Sequence, residues 1–174
     1  NGLEDTALHF DGDASGDHIN VGPVSNFGGT TTFTVSAWVY AESAPTTQGR
    51  TAVSTYHYVS GTENYGWNFG AVWTDHQFGF HLGGGGNATN INDPTFFSDN
   101  LKEWVHYVGV YSASNYMKLY KNGVLVAQTT TNVPSSISYY TGTDLIIGRR
   151  SLYNGSYWDG AIDEVRVYNT AIGE

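Results

Sequence analysis

The sequence contains no cysteine. Disulfides, thiolate nucleophiles and thiolate metal sites are therefore excluded, and nothing in the chain demands an oxidising compartment. Basic residues are scarce. Seven Lys and Arg stand against 16 Asp and Glu, for a net charge of −9. Such a surface repels phosphates and anionic headgroups, so nucleic acid and acidic membrane are poor partners. No apolar run is long enough to cross a bilayer, and membrane insertion is not expected. No secretory leader opens the chain at Asn1, and Glu174 follows directly on a strand pattern. The expectation is one domain, residues 1–174, excised from a longer protein whose other domains are among its partners.

Long segments with a helical period are also missing. Alternation with period two runs through most of the chain instead. Residues 32–41 put Phe33, Val35, Ala37 and Val39 on one face. Residues 104–112 group His106, Val108 and Val110, with Tyr107 and Tyr111 opposite. Residues 116–130 read as a hairpin turning at Asn122-Gly123, a pair suited to the positive φ angles of a type I′ turn. Residues 145–148 form a short strand. In residues 161–168, Ile162 and Tyr168 fall on one face and Val165 and Val167 on the other. The 22 glycines, with Ser, Asn and Thr, separate these runs. The stretch Gly83–Gly86 reads as a loop, and no Lys-Ser or Lys-Thr follows it to make a phosphate loop. About ten to thirteen short strands are expected, which means a two-sheet sandwich.

Four ordered segments carry a family pattern. They are Ala7–Gly12 with Asp17–Val21, Phe33–Val39, Trp104–Val108 with Lys118–Gly123, and Ile146–Arg149 with Asp159–Asn169. Together they resemble the laminin G-like, pentraxin-like branch of the concanavalin A-like lectin and glucanase superfamily. The resemblance covers nearly the whole chain. It implies an all-β fold, a two-sheet antiparallel jelly-roll β-sandwich. Trp38 is expected in its core, His106 as a hydrogen-bonded sheet residue, and Arg166 paired with Glu164.

That superfamily includes glycoside hydrolases, whose retaining members flank the scissile bond with two carboxylates. The related glucanases carry Glu, Asp and Glu alternating on one strand, and no glutamates here have that spacing. Asp163 and Glu164 are adjacent, so on a regular strand they point to opposite faces. Gly-x-Ser-x-Gly and His-Glu-x-x-His are absent too. The chain is expected not to be an enzyme.

Many relatives hold one structural calcium, and the resemblance places its ligands at Asp11 and Asp163, with Asp13 and Asp17 nearby. Calcium needs several oxygens, which carboxylates and carbonyls together supply. The aromatics then divide. Phe10, Phe33, Trp38, Trp104, Tyr120 and Tyr168 fill motif positions and read as core or sheet-face residues. Others lie outside the motif, and Tyr56, His57, Trp73, His76, Tyr153 and Tyr157 are the expected ligand-binding set. Flat rings beside Asn, Asp and His suit sugar, because the ring covers the apolar face of a pyranose. The expected function is a non-catalytic carbohydrate-binding module of a secreted or cell-surface protein, with a polysaccharide or oligosaccharide as ligand. The alternative is a calcium-dependent adhesion, protein-interaction or spacer domain.

Overall fold

The computed structural model describes residues 7–12, 16–26, 31–46, 48–60, 63–71, 77–152 and 155–172. Two antiparallel sheets face each other. The six-stranded sheet runs β1 (Leu8–Asp11), β13 (Asp159–Tyr168), β3 (Thr32–Ala41), β9 (Trp104–Ser112), β10 (Tyr116–Lys121) and β11 (Val124–Thr129). The second sheet runs β2 (Ile19–Pro23), β12 (Asp144–Ile147), β4 (Arg50–Ser54), β6 (Glu63–Ala71), β7 (Phe78–Gly86) and β8 (Ala88–Asp93), with β5 (His57–Ser60) pairing on β6. This is the two-sheet sandwich that the alternation predicts and the jelly roll that the resemblance implies. The one α-helical turn among the described residues, α1 (Phe96–Asp99), follows β8.

Alternation decides what each strand buries. Phe33, Val35, Ala37 and Val39 of β3 turn inward, as do Tyr107 and Tyr111 of β9 and Met117 and Leu119 of β10. Phe69, Phe78, Phe80 and Leu82 meet them from the other sheet. The rings pack mostly edge to face, for example Phe69 against Phe78 at 5.0 Å and 84°. Phe78 stacks on Tyr107 across the sandwich at 4.0 Å. Such pairs add about 0.5–1.5 kcal/mol each beyond the area they bury. The β10–β11 hairpin turns at Asn122 and Gly123, both at positive φ, as the sequence predicts.

One buried polar node ties the sheets to α1. Asp93 accepts hydrogen bonds from the Tyr107 hydroxyl and from the amide and hydroxyl of Thr95, and it pairs with Lys121 Nζ at 3.0 Å. Burial pushes the Asp93 carboxyl up, but these donors outweigh it and hold the group below its ordinary value.

Two expectations fail here. Gly83–Gly86 belongs to β7 and is not a loop. A Cβ on Gly83 would lie 2.4 Å from the Asn64 backbone, so β6 and β7 approach closely only because the side chain is missing. Ile162 and Tyr168 also do not share a face. Ile162 is in the core with Val165 and Val167 packed behind it, whereas Tyr168 is exposed. The cause is a β-bulge. Asp163 faces Trp38 and Arg166 faces Ser36, so three steps on β13 match two on β3. Glu164 takes φ +51° to accommodate the extra residue.

Candidate functional site

Of the expected ligand-binding residues, the structure describes Tyr56, His57 and Tyr157. Trp73, His76 and Tyr153 lie outside the described residues. Tyr56 is only 2 % exposed. Its hydroxyl donates to Asn64 Oδ1 at 2.5 Å, its ring carries the Arg150 guanidinium at 5.9 Å, and burial pushes its pKa up to about 12. Tyr157 is buried too, and its carbonyl accepts from Arg50 Nη1. His57 stays at the surface, 4.4 Å from the Tyr140 ring, which also meets Tyr65 at 5.5 Å. Burial and then the Arg150 charge lower the His57 pKa, which favours the neutral ring. Of the described members, His57 alone presents a surface ring.

The calcium pair is not brought together either. Asp11 faces Asp159 across the β1–β13 ladder. Asp163 stands four residues further along β13, about 13 Å at strand rise. Ligands of one calcium each lie about 2.3–2.6 Å from the ion. Asp11 and Asp163 therefore do not fit a shared ion. Asp11 contacts His9 Nδ1 at 3.1 Å, and His9 Nε2 meets Glu42 at 3.0 Å. The hydrogen bond to Glu42 leads the effects that raise the His9 pKa. Asp13 lies outside the described residues.

A different cluster is built on the outer face of the six-stranded sheet. Because Phe33, Val35, Ala37 and Val39 point in, Trp38 and Tyr40 must point out. Trp38 pairs with His106 on β9 and Tyr40 pairs with Trp104. The rings form two cross-strand pairs, with Trp38 and His106 centroids 5.1 Å apart and Tyr40 and Trp104 centroids 5.6 Å apart. Trp38 is 38 % exposed and Trp104 42 %. The expectation of a core Trp38 is thus corrected: its neighbours on β3 already fill the core. His106 is a sheet-face residue. Burial under Trp38 and then the Arg166 charge lower its pKa, so the ring is held neutral.

The bulge completes the cluster. Asp163 and Glu164 both line a cleft of about 240 Å³ with Trp38 and Trp104. Adjacent residues of a regular strand part to opposite faces. The left-handed backbone at Glu164 turns its side chain onto the outer face instead. Asp163 Oδ1 accepts the Glu164 amide at 2.7 Å and pins the bulge. Glu164 forms an ion pair with Arg166. Both carboxylates come from one strand and stand on one side of the cleft. Glycosidases need carboxylates flanking the bond from both sides, so this pair does not make that constellation.

A family model, Laminin_G_3, described as the concanavalin A-like lectin/glucanases superfamily, matches residues 12–174. The chain belongs to this laminin G-like family. No curated protein matches it. Several solved structures share the laminin G-like fold at low identity. The binding domain of Paraclostridial Mosquitocidal Protein 1 superposes with a TM-score of 0.68 at 13 % identity, over 97 % of this chain and 43 % of that one. The SAP-like pentraxin of Limulus polyphemus gives 0.55 at 16 % identity, over 83 % and 66 %. The sialidase CBM40 of Ruminococcus gnavus, solved with α2,3-sialyllactose, gives 0.65 at 12 % identity, over 98 % and 94 %. The chain thus spans less than half the length of the mosquitocidal binding domain, whereas it covers nearly all of the CBM40.

Proposed function

We propose that this laminin G-like domain is a non-catalytic carbohydrate-binding module of an exported protein, and that it holds sugar on the outer face of its six-stranded sheet. The observation that carries this reading is the pair of half-exposed tryptophans, Trp38 and Trp104, lining one shallow cleft beside two carboxylates. A globular domain keeps two large indoles in water at a cost in apolar exposure, which a covering ligand removes. An indole offers a flat apolar surface to the C–H face of a pyranose, and a carboxylate accepts hydrogen bonds from its hydroxyls. At about 240 Å³ the cleft is smaller than typical drug-sized pockets, about 300–1,000 Å³, and suits a sugar ring on an open surface. The carbohydrate-bound CBM40 of similar fold supports the same class of ligand.

The test is a pull-down on a panel of soluble and insoluble polysaccharides, with Trp38→Ala and Trp104→Ala beside the parent domain. Binding to at least one glycan, weakened about tenfold or more by either substitution, is expected. Binding that survives both substitutions would move the site elsewhere, and His57 with Tyr140 would be the next surface to change.

A further inference from the structure

We propose that the Trp38–Trp104 cleft recognises a protonated amine on its ligand, so that the preferred glycan carries free amino sugars. The inference rests on the sugar-binding reading above and adds the ligand's charge to it.

Two features of the cleft converge on a cation. The first is the tryptophan pair, because an indole face carries negative quadrupole potential and attracts an ammonium group more strongly than the other aromatic rings do. The second is the bulge. It places Asp163 and Glu164 side by side at the same cleft, where a regular strand would have turned one of them away. Glu164 is neutralised by Arg166, and His106 is held neutral, so neither cancels Asp163. One oxygen of Asp163 accepts the Glu164 amide, and the carboxylate keeps its second oxygen for a ligand.

The β1 end of the surrounding sheet face has the same sign. The row beside the cleft runs from His9 through Ala161 and Tyr40 to Trp104. At its far end His9 is clasped between Asp11 and Glu42. Asp159, which accepts the Ser43 hydroxyl, lies opposite Asp11. With a chain charge of −9, the field over this face draws in cations and repels anions. A sialylated or uronic ligand would set its carboxylate against Asp163. An uncharged glycan would use the indoles alone.

The experiment compares two oligosaccharides of equal length that differ only in N-acetylation, which removes the charge: a β-1,4-linked glucosamine oligomer and its fully N-acetylated counterpart. Both are titrated into the domain by calorimetry at a pH where the free amine is protonated. The free-amine oligomer should bind about tenfold more tightly, the factor that a cation–π contact and one exposed ion pair together allow. Asp163→Asn keeps the acceptor for the Glu164 amide, so the bulge is retained while the charge goes. In that variant the preference should fall to the roughly two- to fivefold that the cation–π contact alone allows, and raising the salt should reduce it in the parent domain. Equal or tighter binding of the acetylated oligomer, or a preference unchanged in Asp163→Asn, overturns the amine inference while leaving the sugar site standing. If Trp104→Ala leaves the affinity for both oligomers unchanged, the site itself is refuted and the amine inference with it.

Discussion

The Tyr107 hydroxyl donates a 2.5 Å hydrogen bond to Asp93, a carboxylate sealed between the sheets. The bond joins β9 of one sheet to the end of β8 in the other, and burial with this anionic partner raises the tyrosine pKa. Lys121 neutralises the pair from β10. Removing one partner of a buried pair leaves an uncompensated charge. Asp93→Ala should therefore cost about 3–5 kcal/mol in urea unfolding, whereas Tyr107→Phe should cost about 1–3 kcal/mol, one lost hydrogen bond to a charged group.

The described tryptophans divide by role. Trp158 and Trp67 are buried, and Trp158 meets Phe78, Phe96 and Phe97. Trp158→Ala should destabilise the fold by about 3–5 kcal/mol. Trp38→Ala and Trp104→Ala should cost about 1 kcal/mol, since each loses mainly one ring contact at the surface. Thermal unfolding of the three variants, read beside glycan binding, separates the two classes.

His81 sets an acid limit. It sits in a row with Ser54 and Asn68 on the outer face of the second sheet, yet only 5 % of it is exposed. Burial lowers its pKa from 6.5 to about 4. The unfolded chain then binds the proton more readily than the folded one. This contribution is complete above about pH 6.5 and is lost as the pH falls toward 4, by about 3 kcal/mol. Urea midpoints measured across that window should decline in the parent domain and flatten over the same range in His81→Gln.

Gly148 is fixed by Phe10. It adopts φ +90°, and a Cβ there would lie 2.4 Å from the Phe10 ring. Gly148→Ala combines a left-handed backbone with an overpacked core and should cost roughly 3 kcal/mol. In Gly148→Ala/Phe10→Leu the clash is removed, and the double substitution should cost less than the sum of the two single ones.

The fold was legible because its signals are local. Period two in residues 32–41 and 104–112, and Asn122-Gly123 at a hairpin, each carry their own geometry. The same alternation already placed Trp38 opposite Val35 and Val39, and Trp104 on the side of His106. The signal for the aromatic platform was therefore in the sequence. Trp38 and Trp104 also stand at motif positions that fit core and sheet face alike, and this ambiguity covers the signal. Tyr56 and Tyr157 are buried for tertiary reasons that no local pattern carries: Tyr56 bonds to Asn64 and meets Arg150, and Arg50 holds the Tyr157 carbonyl. The bulge at Glu164 had no local marker. Positive φ normally invites Gly or Asn, and a glutamate holds it here because the Asp163 side chain accepts its amide.

The bulge makes this face sensitive to chain length in a way that composition does not capture. The bulge fits one extra peptide unit into β13 between Asp163 and Arg166. Deleting a single residue there would restore strict alternation against β3. Arg166, Val167 and Tyr168 would keep their partners Ser36, Val35 and Thr34, and the cleft would lose one of its two carboxylates. Among homologous domains, a one-residue gap at this point should therefore mark a change of ligand more reliably than any exchange of side chains on the face.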